Sequence, residues 1–185
     1  MPGVIIDPTV RRAQAAAVVP SDAPRPPSLA GLRVGLLGNT KRNADVILDA
    51  VGAALAERFP VASLVRLTKT QFAMPLPDEL VEELVRECDV VVIGVGDCGS
   101  CSASAVADGI TMEIAGVPAA VITTTAFETT SRAMAGLKNA PEYPFILTEH
   151  PIANLSGEQI SDRASALADE VTSRLIHGGA LAGAA

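Results

Sequence analysis

The chain of 185 residues is poor in aromatic residues: it has no tryptophan, one tyrosine and four phenylalanines. Its core must therefore be assembled from Ala, Val, Leu and Ile packed in layers. Basic residues are the minority, 14 Lys and Arg against 21 Asp and Glu, for a net charge of −7. Nonspecific nucleic-acid affinity rests on many Lys and Arg contacts to phosphate, so no nucleic acid is expected as partner. Long hydrophobic runs are missing as well. The longest apolar stretches, such as 90–95 and 117–122, fall far short of the roughly 20 residues that a membrane helix needs, and no membrane partner is expected. The N-terminus lacks a charged segment followed by a long apolar one, which leaves the cytoplasm as the expected compartment. With only three cysteines, a disulfide framework is not expected to hold the fold, and a close cysteine pair reads as catalytic, redox or metal-binding.

What is present is a chain long enough for one domain at roughly 100–200 residues per domain. Residues 1–30 carry Pro2, Pro8, Pro20, Pro24, Pro26 and Pro27 around an Ala run and predict an extended arm. Within it, the apolar Val4-Ile5-Ile6 could anchor on a neighbouring subunit. Residues 31–177 form the expected domain, and the Gly/Ala stretch 178–185 reads as a frayed tail. Inside the domain, short apolar runs alternate with helical periods, the signal for βα units and a mostly parallel sheet. Strands are expected at 33–37, 62–67, 89–95, 119–123 and 145–148. The run Val90-Val91-Val92-Ile93 predicts a central strand covered on both faces. Helices are expected from the cap candidate Asn43, from 77 to 87, from 100 to 115, from a Thr125–Glu128 capping box, and from Ser156 with Gln159 three residues on. The last would bury Ile160, Ala164, Leu167, Val171 and Leu175. Five such units fit a three-layer α/β fold, a doubly wound five-stranded sheet of flavodoxin-like order 2-1-3-4-5. Right-handed crossovers bring every loop after a strand to one edge of that sheet.

Chemistry is expected at Gly96-Asp97-Cys98-Gly99-Ser100-Cys101, on the exit of the central strand. Unpaired N–H groups of the following helix favour a thiolate there, which makes a thiol a better nucleophile at neutral pH. Two thiols three residues apart can also close a disulfide, the logic of an attacking Cys98 and a resolving Cys101. The blander reading makes them small apolar fillers of a tight loop. A metal centre would need more ligands than one Cys-x-x-Cys supplies, so no metal and no cofactor are expected.

Other candidates share the predicted edge. Asn39, Thr40, Lys41 and Asn43 follow the first strand, where backbone N–H groups and the Lys41 cation can receive an anionic group; a turn with a helix cap explains Asn43 better and Lys41 equally well. No Gly-x-Gly-x-x-Gly or Walker-type run supports a dinucleotide or ATP site. Gly99, Ser100, Thr125 and Glu128 are further candidates for substrate contact. His150 could serve as base for Cys98 or as acid toward substrate, although its edge strand leaves the reach across the fourth strand open. Asp97 could orient the loop or shuttle protons, while a carboxylate beside a thiolate also raises the thiol pKa. Cys88, ahead of a buried strand, and His177, at the end of the last helix, read as structural.

The segments Gly38-Asn39-Thr40-Lys41-Arg42-Asn43-Ala44, Gly96-Asp97-Cys98-Gly99-Ser100-Cys101, Phe127-Glu128 and His150-Pro151 together resemble the UGSC family, named for a selenocysteine-Gly-Ser-Cys motif. The resemblance covers most of residues 5–177. Some members have selenocysteine at the first motif position and others cysteine, so the likeness implies that Cys98 is the reacting atom. A weaker likeness is to the selenoprotein subunits of amino-acid reductases, which act with partner subunits.

Three functions follow as expectations. The first is an oxidoreductase acting on a small anionic substrate through Cys98 and Cys101. The second is a non-redox lyase, hydratase or isomerase, and the third a thiol-bearing subunit of a heteromeric enzyme. A homodimer or larger assembly is plausible from the Ala-rich helices and proline-rich arm.

Overall fold

The computed structural model describes residues 23–178; residues 1–22 and 179–185, with most of the expected arm and tail, lie outside the described residues. Strands β1 (Arg33–Gly38), β2 (Ser63–Thr68), β3 (Val90–Gly96), β4 (Ala119–Thr124) and β5 (Ile146–Thr148) alternate with helices α1 (Ala44–Arg58), α2 (Asp78–Glu87), α3 (Gly99–Ile114), α4 (Glu128–Leu137) and α5 (Gly157–His177). All pairings are parallel, in the order β2-β1-β3-β4-β5. This is the doubly wound, flavodoxin-like arrangement that the alternating pattern predicts.

Every residue of β3 and β4 is buried, as strands without a polar face must be. Val34, Leu36, Val90, Val92, Ala120 and Ile122 pack under α1 and α5, whereas Leu37, Val91, Ile93, Ala119 and Val121 pack under α2, α3 and α4. The result is three layers. Helix α5 starts on a complete capping box: Ser156 Oγ accepts from the Gln159 N–H and Gln159 Oε1 accepts from the Ser156 N–H. Its predicted face of Ile160, Ala164, Leu167, Val171 and Leu175 is buried. Each large aliphatic side chain so covered contributes about 1.5–3 kcal/mol. No described helix is long and apolar enough to cross a membrane.

Two caps expected from the sequence do not form. Asn43 precedes α1 in the left-handed region at φ 65° and makes no side-chain cap bond; that conformation turns its amide away from the helix toward an incoming loop. After β4, residues Thr125–Phe127 form a 3-10 turn and α4 begins at Glu128, with no side-chain cap on either element. The turn occupies the residues a capping box would need. Glu128 lies instead 3.9 Å from Arg132, one helical turn on.

Residues 23–30 run without helix or strand and lie on the domain, with Leu29 fully buried and Ala23 nearly so. The buried Glu113 of α3 accepts from the Ala23 N–H at 2.7 Å and the Ala119 N–H at 2.9 Å. It also pairs with Arg25 at 2.9 Å and with the buried Arg174 of α5 at 3.0 Å. One carboxylate therefore clasps the start of the described chain to its last helix.

Candidate active site at the carboxyl edge of the sheet

The exit of β3 is irregular. Ile93 pairs with Val121 and Gly96 with Thr123, so β3 spends one more residue than β4 over the same span, which bends the strand and re-aims the cysteine loop at its end. A Cβ on Gly96 would come within 2.7 Å of Ser102 Oγ and 2.8 Å of the Ser102 Cα. Only glycine lets α3 start this close to its own strand.

Cys98 is the N-cap of α3, with extended backbone at φ −158°. Its Sγ accepts the Cys101 N–H at 3.3 Å and lies 3.6 Å from Ser100 Oγ. Sulfur thus occupies the position that a serine or aspartate oxygen usually takes, at the positive end of the helix. Cys98 and Cys101 are disulfide-bonded, with Cα atoms 5.3 Å apart. The two differ in access: Cys98 is partly exposed, and Cys101 is fully buried.

Asp97 is tied to the loop after β5. Its carboxylate, 8% exposed, accepts the Ile152 N–H at 3.1 Å and the Ala153 N–H at 3.0 Å. It also meets His150 Nδ1 at 2.9 Å. Thr124 Oγ1 donates to the Gly96 carbonyl at 3.2 Å, which leaves a lone pair facing His150 Nδ1 at 3.2 Å. Two acceptors at Nδ1 place a proton there by the hydrogen-bond network, and in the neutral ring Nε2 keeps its lone pair. Among the described residues Nε2 has no partner. Phe127 packs its ring edge-on to the imidazole at 5.4 Å. His150 therefore reaches across β4 as far as Asp97, which extends from the cysteine loop to meet it. Of the roles open to Asp97, this structure displays the orienting one.

Loop 39–43 closes the other side. Asn39 is buried and its Nδ2 donates to the Val95 carbonyl at 3.0 Å. Asn43 Nδ2 is shared among the carbonyls of Ile152 at 3.0 Å, Ala153 at 3.2 Å and Leu155 at 3.0 Å. The exits of β1, β3 and β5 are thereby interlocked. Thr40 sits in the left-handed region at φ 60° and is exposed. A β-branched residue there costs of order 1–3 kcal/mol, a strain found mostly at functional loops. Lys41 does not meet an anion: its Nζ lies 4.0 Å from the centre of the Phe72 ring, and no described carboxylate neutralises it. Gly99 has open space around it, Ser100 is exposed, and Thr125 and Glu128 stand exposed after β4.

A third cluster was not read from the sequence. Lys69, just past β2, is 2% exposed; its Nζ lies 2.5 Å from Asp108 Oδ2 and 2.7 Å from Ser104 Oγ, both on α3. Asp108 Oδ1 accepts from the Leu76 N–H, and Ser104 Oγ donates to the Met74 carbonyl. Burial pushes the Asp108 carboxyl above its ordinary pKa, against the pull of Lys69. Beside the pair is a cavity of about 10 Å³, lined among others by Asn39, Lys69, Phe72, Gly94, Ala105 and Asp108. The one available signal was compositional: α3 is mostly buried yet carries Asp108 and Glu113, and buried acids require partners.

The remaining thiol is of another kind. Cys88 is buried, and desolvation pushes it up to about 11 despite the nearby Arg33. His177 is exposed at the end of α5. Among the described residues no three His, Cys, Asp or Glu side chains are grouped to hold a metal ion.

Comparison with curated proteins returned no match. The profile of the UGSC family matches residues 4–177, a span that takes in the cysteine loop and the three strand exits interlocked around it. The chain belongs to the UGSC family.

Proposed function

We propose that this protein is a thiol-dependent oxidoreductase in which Cys98 attacks a small anionic substrate and Cys101 resolves the adduct. The observation that carries the reading is the asymmetry of the pair: the helix-capping sulfur is accessible, and its partner is wholly buried within bonding distance. In the reduced protein the helix terminus favours the Cys98 thiolate. That thiolate forms a bond to an electrophilic atom of the substrate as the bond from that atom to a leaving group breaks, the leaving group departing as an anion with the bonding pair. Cys101, as thiolate, then attacks Cys98 Sγ; the disulfide closes and the substrate leaves carrying the electron pair, reduced by two electrons and protonated by the site. A dithiol reductant resets the disulfide, which suits a cytoplasmic setting. Lys41, which has no carboxylate partner among the described residues, receives the anionic group of the substrate, and His150 exchanges protons through Nε2.

The test is Cys101→Ser incubated with cell metabolite fractions and weighed intact. A mass increase located at Cys98 is expected, because the adduct can no longer be resolved. In the wild type, mild oxidation should remove two thiols and leave Cys88. Indifference of Cys98 to both treatments would overturn the proposal.

A second reading, a lyase, hydratase or isomerase, draws on the Asp97–His150 contact, a ready acid–base pair. Activity that survives Cys101→Ser but not Cys98→Ser would select it.

A further inference from the structure

We propose that Phe72 is the positioning residue for Lys41: its ring holds the ammonium in place and fully charged, ready for the anionic group of the substrate. The inference rests on the thiol reading above, which gives Lys41 that role, and adds what keeps the lysine in position.

The kind of contact carries it. Lys41 Nζ lies 4.0 Å from the centre of the Phe72 ring, and no carboxylate among the described residues neutralises it. A lysine left to water samples many rotamers and must give up that freedom when an anion binds. A carboxylate partner would hold it, but would also cancel the charge and compete with the substrate. An aromatic face attracts the cation without supplying a countercharge. The ring therefore orders the side chain ahead of binding, so less freedom is lost when the anion arrives.

The ring is itself held. Phe72 belongs to the loop between β2 and α2, and that loop is fastened at both ends. At its start the Lys69 N–H donates to the Gly38 carbonyl at 2.8 Å, and Lys69 Nζ bridges Asp108 and Ser104 of α3. At its far end Asp108 Oδ1 accepts from the Leu76 N–H at 3.2 Å, and Ser104 Oγ donates to the Met74 carbonyl at 2.7 Å. Between the two, the Met74 N–H donates to the Gln71 carbonyl at 3.1 Å and closes a turn with Phe72 inside it. Phe72 also shares the lining of the small cavity with Asn39, Lys69 and Asp108. A buried ion pair contributes little net stability; here its second carboxylate oxygen and the serine hydroxyl fix the backbone that presents the ring.

The loop that bears Lys41 leaves the sheet next to the cysteine loop, because β1 and β3 are hydrogen-bonded neighbours with Leu37 opposite Ile93. Asn39 ties that loop to the exit of β3 through the Val95 carbonyl, and the Lys41 N–H donates to Asn39 Oδ1 at 3.4 Å. Lys41 is thus joined to β3 through its backbone and to Phe72 through its side chain.

The reduced full-length chain carrying Cys101→Ser is mixed with dianionic 5,5′-dithiobis(2-nitrobenzoate) or with neutral 2,2′-dithiodipyridine. Cys88 is buried, so Cys98 is the thiol that reacts; its thiolate attacks either reagent, forms a mixed disulfide and releases one aryl thiolate. Both reagents are aromatic, so direct contact with the Phe72 ring cancels in the ratio of the two rates. Phe72→Leu should lower the anionic-to-neutral ratio about two- to fivefold, and Phe72→Tyr should restore it. Phe72→Leu added to Lys41→Gln should lower the ratio no further than Lys41→Gln alone. Lys69→Met combined with Asp108→Leu, an apolar pair of similar volume that releases the loop but keeps Phe72 and Lys41, should show the same selective loss. An unchanged ratio in Phe72→Leu or in the released loop, equal slowing with both reagents, a loss that Phe72→Tyr shares, or a further loss in the double variant overturns the inference alone. A Lys41→Gln chain that keeps the ratio overturns the anion-receiving role of Lys41 and this inference together, and a Cys98 inert to both reagents overturns the thiol reading with them.

Discussion

Asp97 and His150 meet at 2.9 Å between Oδ1 and Nδ1, the aspartate from the cysteine loop and the histidine from the loop after β5. The same carboxylate holds the Ile152 and Ala153 N–H groups, so the contact fixes both the ring and the loop that carries it. Its proton assignment leaves Nε2 for chemistry.

If the two act as one unit, Asp97→Asn and His150→Ala should each slow adduct formation at Cys98 by about 10–100-fold. The double variant should be no slower than either single, because coupled residues are not additive. Asp97→Ala should also lower stability by about 1–3 kcal/mol, since it strands the two part-buried amides. Urea unfolding checks this as a lower midpoint with an unchanged slope.

Cys88 gives a pH signature. Its folded pKa of about 11 lies above the value of roughly 8.5 for a free thiol. A raised acid is neutral in the folded state while the unfolded chain already ionises. The stabilisation is therefore complete below the unfolded value and lost as pH climbs from there through the folded value. The stability difference between wild type and Cys88→Ala should stay flat up to about pH 8 and shrink by up to about 3 kcal/mol by pH 11. Thermal melts across that range measure it.

Lys41 rests on an aromatic ring, worth about 0.5–1 kcal/mol when exposed, so Lys41→Gln should barely change the melting temperature. Its charge should instead matter for capture of anions. The rate at which reduced Cys98 reacts with the dianionic aromatic disulfide 5,5′-dithiobis(2-nitrobenzoate) should fall about three- to tenfold, while the rate with neutral 2,2′-dithiodipyridine stays constant. In the wild type the preference for the anion should fade toward about 1 M salt.

Glu113 is the opposite case, wholly buried between Arg25 and Arg174. Glu113→Ala should cost about 3–5 kcal/mol because Arg174 is left buried and uncompensated. Glu128→Ala removes only an exposed one-turn pair and should stay within about 0.5 kcal/mol. Denaturant midpoints separate the two.

The strand order was legible because each strand is a short apolar run followed by a helical period, and handedness leaves few ways to wind such units. Ser156 with Gln159 fixed the start of α5 for the same reason: both partners lie within one turn. Asn43 misled because an asparagine ahead of an apolar helix is a normal cap; only its left-handed backbone and carbonyl partners beyond position 150 make it a clasp. Lys69 was not found, since a lysine in a loop usually stays in water, and its partner lies on a helix distant in sequence. The cysteine loop could be picked out by its residues, whereas the pairing of Asp97 with His150 depended on which strand exits converge.

The interlock through Asn43 and Asp97 draws on the early, middle and late parts of the chain. A nascent polypeptide that has emerged only as far as Cys101 already owns both sulfurs, yet lacks the segment that supplies Ile152, Ala153 and the imidazole. Full assembly of the site must therefore await synthesis of nearly the entire polypeptide, and a fragment cut before position 150 would carry the thiol motif without its acid–base surroundings.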